Sequence, residues 1–230
     1  MPAPRRVVVA VDGPSGSGKS SVSRAVALRL GLDYLDTGAM YRAVCWWCLE
    51  QGADLADTAA VARAATSMQL EIGTDPEDPW VRVAGIDVTA AIRTTRVSTE
   101  VSAVATNLEV RAFLAGLQRQ LVESSEHGCV AEGRDITTVV APDADVRVLL
   151  VADEQARLAR RAREVHGSDD EGAVAATRDQ VLRRDRDDST VSQFLVAADG
   201  VVTLDSSGLT FDQTVQALLT LIEQRCGEVP

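Results

Sequence analysis

The chain has 230 residues, 46% of them hydrophobic, enough to bury the core of one domain with room for a small excursion. Its 34 acidic and 23 basic side chains leave a net charge of −11, which repels polyanions and argues against a nucleic-acid or anionic-membrane partner. No stretch approaches the ~18 apolar residues of a membrane helix, and the segment before Val7 is too short for a secretory leader, so a cytoplasmic protein is expected.

Strands alternate with helical runs, which predicts an α/β fold with a central parallel sheet flanked by helices. The first strand, Arg6 to Val11, leads into Gly13-Pro-Ser-Gly-Ser-Gly-Lys-Ser20 and then a helix from Ser20 to Leu30 closed by Gly31. The octapeptide matches G-x-x-x-x-G-K-[ST], the P-loop, whose glycines turn backbone N–H groups onto phosphate oxygens at a helix N-terminus. Lys19 is the only lysine in a chain that otherwise writes arginine, as expected where a compact ammonium must lie over phosphates. The motif implies a nucleoside triphosphate held by Gly13, Pro14, Ser15, Gly16, Ser17, Gly18, Lys19, Ser20 and Ser21, with the Ser20 hydroxyl on Mg²⁺.

Asp33 to Asp36 reads as a short strand, Thr37 to Gln51 as a helix, and Leu55 to Thr66 as a second, alanine-rich one. The pattern then changes. Met68 to Ile72 alternates, residues 73 to 79 are turn chemistry, and Trp80 to Val83 with Ile86 to Val88 predicts a hairpin across Ala84-Gly85. Residues of about 60 to 96 thus read as a small β-containing insert in a core of 1 to 59 and 97 to 230. Helices follow from Val97 to Glu123, broken near Asn107, then strands at Cys129 to Glu132 and Val146 to Val151. Glu154 to Val165 predicts a helix with Arg157, Arg160 and Arg161 on one face. His166 to Gly172 has the composition of a mobile loop, and Ala173 to Asp188 reads as a charged helix. A strand at Val201 to Leu204 and a helix from Thr210 to Arg225 close the chain. Cys45-Trp-Trp-Cys48 is formally C-x-x-C, but it sits in an apolar helical run with no second pair, so packed, reduced thiols are expected.

The absence of Asn-Lys-x-Asp excludes a guanine-specific GTPase, since the chain holds one lysine and one asparagine, Asn107. Val148 to Glu154 comes near the aliphatic strand and Asp-Glu pair of a helicase-type ATPase, but an arginine-rich helix follows it. What remains is a small-molecule kinase. Leu35-Asp-Thr-Gly-Ala-Met-Tyr-Arg42, Ile92-Arg-Thr94, Glu132-Gly-Arg-Asp135 and Arg184-Asp-Arg-Asp-Asp188 follow one another as in bacterial cytidylate kinases, and from Val7 to about Ile222 the chain resembles that family of P-loop nucleoside monophosphate kinases.

The resemblance implies a P-loop NTPase fold with a nucleoside-monophosphate-binding insert and a helical lid at about 154 to 188. It implies transfer of the ATP γ-phosphoryl group to CMP or dCMP, with Mg²⁺. Arg42 and Arg134 match positions that hold the acceptor phosphate, with Thr37 donating a hydroxyl and Arg93 a weaker candidate. Asp135, Arg111 and Ser102 match cytosine-reading positions, and Arg184 and Asp188 lie near the acceptor ribose. Asp36, Tyr41 and Gly133 fall within the matched motifs on the acceptor side. Lys19, Arg134, Arg157 and Arg161 are the expected catalytic cations. Glu132 or Asp36 could orient the waters of the metal. The chain departs from the family at Ser189-Thr-Val-Ser-Gln-Phe-Leu195, where Val191 takes the position of an expected phosphate-binding arginine and one residue is missing nearby; Arg186 or another side chain would have to replace it. The competing expectations are a P-loop kinase for another small acceptor and a nucleotide switch without catalysis. A monomer is expected because no exposed apolar stripe stands out.

Overall fold

The computed structural model describes residues 6–227. Five parallel strands form the central sheet: β1 (Val7–Asp12), β2 (Asp33–Asp36), β6 (Gly128–Gly133), β7 (Val146–Val151) and β8 (Val202–Asp205), in the spatial order β2-β6-β1-β7-β8. β1 is buried on both faces, and its alternating side chains divide the interior. Val7, Val9 and Val11 face a core filled by helices α1 (Lys19–Leu30) and α8 (Phe211–Cys226). Val8 and Ala10 face a larger core shared with α2 (Thr37–Glu50), α3 (Thr58–Ser67), α4 (Thr95–Ala105) and α5 (Leu108–Ser124).

The helix boundaries follow from capping. Asp36 accepts from Ala39 N at the start of α2, and Asn107 accepts from Glu109 N and Val110 N, so it ends one helix and begins the next. Gly31 closes α1 in the left-handed conformation. A separate antiparallel sheet is formed by β3 (Leu70–Ile72), β4 (Val81–Val83) and β5 (Ile86–Asp87). Its turn holds Ala84 at φ 49 beside Gly85 at φ 77, the left-handed pair that a two-residue hairpin requires. Val81, Val83 and Val88 bury against the same core as α2, so the small sheet shares the interior of the large one.

Helices α6 (Glu154–His166) and α7 (Glu171–Asp188) form an antiparallel pair. The connector between them, expected as a mobile loop, is a short capping turn. Gly167 closes α6, Asp170 accepts from Ala173 N and from the Ser168 hydroxyl, and Arg163 pairs with Asp169. The same polar residues that suit a loose loop are the ones that satisfy helix ends.

Two elements escaped the sequence reading. A 3₁₀ turn at Ala91–Arg93 leads into α4, and a π-helical turn at Ile136–Val140 follows β6. Buried Asp12, at the end of β1, holds the second of these: its carboxylate accepts from Ile136 N at 2.8 Å, Thr137 N at 2.9 Å and the Thr137 hydroxyl at 2.6 Å. Burial pushes the Asp12 pKa up, and these donors pull it partly back. Through them Asp12 fixes the segment that carries Arg134 and Asp135.

Candidate active site

Parallel register brings the carboxyl ends of the strands level: Asp12 pairs with Gly133 across β1–β6, and Asp36 with Glu132 across β2–β6. In open α/β sheets ligands bind in the crevice at those ends. Here the crevice is a cleft of about 800 Å³ with the P-loop at one end and Arg42, Arg111 and Asp135 at the other.

The P-loop is shaped by close backbone approaches. Gly16 sits at φ 76, and a Cβ there would stand 2.5 Å from the Arg157 carbonyl oxygen, so no side chain fits. Lys19 begins α1, and its Nζ lies 4.0 Å from Glu132 Oε2. Burial lowers the pKa of this ammonium and raises that of the Glu132 carboxyl, while each charge partly restores the other. Glu132 also accepts the Ser20 hydroxyl at 2.6 Å and the Tyr34 hydroxyl at 3.4 Å. The Ser20 hydroxyl and the carboxylates of Glu132 and Asp36 are therefore neighbours, an all-oxygen donor set beside the phosphate cradle.

On the opposite wall, Gly133 lets Thr37 approach: a Cβ at 133 would meet Thr37 Oγ1 at 2.4 Å, and that hydroxyl donates to the Glu132 carbonyl at 2.8 Å. Arg42 is the odd cation. Its Nη1 donates to Ser98 Oγ at 2.7 Å and to the Ile92 carbonyl at 3.4 Å, and among the described residues no carboxylate pairs with it. Burial pushes its pKa down to about 9, which leaves it charged at neutral pH. A partly buried, charged guanidinium on the cleft wall that hydrogen-bonds only neutral oxygens suits an anion. Asp135 is paired with Arg111, which also lies over the Tyr41 ring at 5.9 Å. Burial raises the Asp135 pKa and Arg111 draws it back, and that ion pair holds the carboxylate in place on the cleft wall.

A family model described as Cytidylate kinase matches residues 9–224. The chain belongs to the cytidylate kinase family. A Cytidylate kinase of Streptomyces avermitilis is 48% identical over 220 residues, covering 95% of this chain and 94% of the relative. A Cytidylate kinase of Cutibacterium acnes is 50% identical over 217 residues, covering 94% and 96%. The fold is also shared with an uncharacterized protein from Eubacterium ventriosum, at a TM-score of 0.52 and 11% identity, covering 96% of this chain and all of that one.

Against that cytidylate kinase frame, most expected residues converge on the cleft and several take other places. Asp36, Thr37, Tyr41, Arg42, Arg93 and Arg111 line it, as do Gly133, Arg134, Asp135, Arg184 and Asp188. Arg93 is more than half exposed and pairs with Asp36 at 3.2 Å. Ser102 is not on the wall; Ala105, one turn further along α4, is. Arg157 also lies off the wall: its Nη1 donates to the Ser15 carbonyl at 2.9 Å and pairs with Asp185. Arg160 braces the same loop through the Ser17 carbonyl at 3.0 Å and the Ser206 carbonyl at 2.7 Å. Arg160 and Arg161 both line the cleft, but Arg161 pairs only with Glu164, an exposed carboxylate one helical turn on, at 2.8 Å. Spacing put all three on one face, but the loop packed against that face takes up two of them.

Arg134 is the most heavily engaged cation. It lies 3.2 Å from Asp185 and 3.0 Å from Asp188, donates to Ser15 Oγ at 2.7 Å, and stacks at 4.4 Å over Phe194. Phe194 comes from the segment that departs from the cytidylate kinase pattern, and it fixes the guanidinium plane from below. Arg186 is exposed and off the cleft wall, so it does not fill the place of the missing arginine. Arg184 Nε and Asp188 Oδ1 are buried and make no hydrogen bond among the described residues.

Cys45 and Cys48 are buried and free, and burial pushes the Cys45 thiol up to about 12, the state of packed rather than reactive thiols. Among the described residues no helix is long and apolar enough to cross a membrane.

Proposed function

We propose that this chain transfers the γ-phosphoryl group of ATP to CMP or dCMP, giving ADP with CDP or dCDP. The carrying observation is one cleft with two anion sites: the P-loop at one end and, facing it, a partly buried Arg42 that pairs with no carboxylate among the described residues. A nucleotide switch has no second anion to hold. The names of the relatives, each a Cytidylate kinase, agree with this reading.

Phosphoryl transfer asks for positioning and for neutralised charge more than for covalent chemistry. Backbone N–H groups of residues 16 to 20 and Lys19 take the donor phosphates. Arg42 takes the acceptor phosphate, Arg134 stands between the two, and Arg184 with Asp188 lines the cleft where the ribose would lie. Asp135 accepts from the exocyclic amine of cytosine while Arg111 donates to its ring acceptors. Uracil would set a carbonyl oxygen against Asp135, a mispairing that buried sites reject strongly. Ser20 with Glu132 or Asp36 fits Mg²⁺, a hard cation held through few protein oxygens, waters and the nucleotide's phosphates. When bound, Mg²⁺ neutralises charge on the donor phosphates. Residues 60 to 96 serve as the acceptor-binding insert, and α6–α7 as the lid that excludes water. We take the working unit to be a monomer in the cytoplasm, with the cleft lined by residues of one chain.

Arg161 is the lid cation free to reach the transferring group. Arg161→Ala is expected to lower kcat by roughly 10²-fold with little change in the KM for CMP, the signature of an interaction made in the transition state. An unchanged kcat would remove it from the mechanism. The reading as a whole is tested by ADP release with CMP, dCMP, UMP and AMP in turn. CMP and dCMP should drive release and UMP should not; release independent of any monophosphate would defeat the proposal.

A further inference from the structure

Asp185 belongs to no role described so far. It is buried in the last turns of α7 and does not line the cleft. Its Oδ1 accepts the Ser15 N–H at 3.0 Å and lies 3.2 Å from Arg134 Nη2, while its Oδ2 takes Arg157 Nη1. Ser15 is held twice more, its carbonyl by Arg157 at 2.9 Å and its hydroxyl by Arg134 at 2.7 Å. One carboxylate thus joins four segments: the P-loop, the turn after β6, α6 and α7.

The charges make the arrangement consequential. The side chains of Arg134 and Arg157 are only 12% and 11% exposed, and without Asp185 two guanidinium groups would converge on Ser15 with only Asp188 near one of them. The Ser15 N–H points to Asp185, so the turn of the P-loop is set by a residue of the lid's second helix. Arg134 leans toward that same carboxylate and onto Ser15.

We infer that Asp185 is a positioning residue that keeps the Ser15 turn of the P-loop and the Arg134 guanidinium at a fixed separation, so that donor and acceptor phosphates meet in line. The inference rests on the kinase reading above. It touches neither nucleotide, so its loss should leave binding nearly intact and disturb the geometry of transfer. A displacement of about 1 Å between reacting groups is enough to cost on the order of 10²-fold in rate.

The test compares Asp185→Ala, Asp185→Asn, Arg157→Ala and the Asp185→Ala/Arg157→Ala double variant in steady-state turnover of ATP and CMP, each checked for folding by thermal melting. Asp185→Ala should lower kcat roughly 30- to 100-fold while both KM values move less than about 3-fold. Asp185→Asn keeps an oxygen for the Ser15 N–H and loses the charge, so it should fall between wild type and alanine, and it carries the test should the alanine variant fail to fold. The double variant should be little worse than the worse single one, because the residues act as a unit. An unchanged kcat in folded protein, a raised KM for CMP with kcat intact, or losses that multiply would each overturn the inference. Failure of the kinase reading looks different: wild type itself would then release no ADP in response to CMP.

Discussion

Lys19→Met is expected to abolish most turnover, lowering kcat/KM by about 10²–10³, the usual loss when one preorganised charge is taken from developing negative charge in a water-poor site. The reason lies in the surroundings. Lys19 is largely buried against Glu132, so its ammonium is little hydrated and meets a phosphate at low dielectric. Methionine keeps the stem and removes the charge, leaving Glu132 buried without its partner; that carboxyl should then take up a proton more readily, and the fold should persist. Lys19→Arg is expected to fail almost as badly, because a planar fork cannot share the narrow space beside Glu132 and Ser20 with a phosphate. Steady-state kinetics with melting curves would check both, and an arginine variant with near-normal turnover would show that the point charge is not what the site requires.

Asp135→Ala is expected to lower kcat/KM for CMP by at least about 10²-fold while leaving ATP affinity within about 2-fold, since a buried polar group left without its partner discriminates strongly. Two effects combine. The exocyclic amine loses its acceptor, and Arg111 loses the carboxylate that orients it beside Tyr41. Selectivity should collapse along with rate, so the ratio of CMP to UMP turnover should fall toward unity. Were CMP turnover normal, the base would be read elsewhere in the cleft. A modest loss of stability is also expected, because Arg111 remains partly buried and keeps only the Ala105 carbonyl and the Tyr41 ring.

The elements that follow from local rules were legible before any coordinates. β1, the P-loop and α1 were read within a residue or two, because an apolar run, a glycine-rich turn and a helical stripe are local signals. The break at Asn107 was visible because asparagine caps, and the hairpin across Ala84-Gly85 because turn chemistry announces itself. The π-helical turn at Ile136–Val140 was not: Ile-Thr-Thr-Val-Val is β-branched and apolar, and only the reach of Asp12 across 124 residues bends it. The cleft residues carried by motifs came out close to their places for the same local reason. What could not be read were partners distant in sequence. Ser15 meets Arg134 across 119 residues and Asp185 across 170, and helical spacing alone cannot tell that Arg157 and Arg160 bond carbonyls of the loop while Arg161 pairs only with Glu164. Phe194 gave a partial signal, a departure from the family pattern, without saying that it would lie beneath Arg134.

The most direct test of the account is a crystal structure with CMP and a non-hydrolysable ATP analogue bound together. The account predicts the CMP phosphate on the Arg42 guanidinium, the cytosine amine on Asp135, and the analogue's terminal phosphate between Lys19 and Arg134. A CMP phosphate bound away from Arg42, or a cytosine ring with Asp135 out of reach, would contradict it.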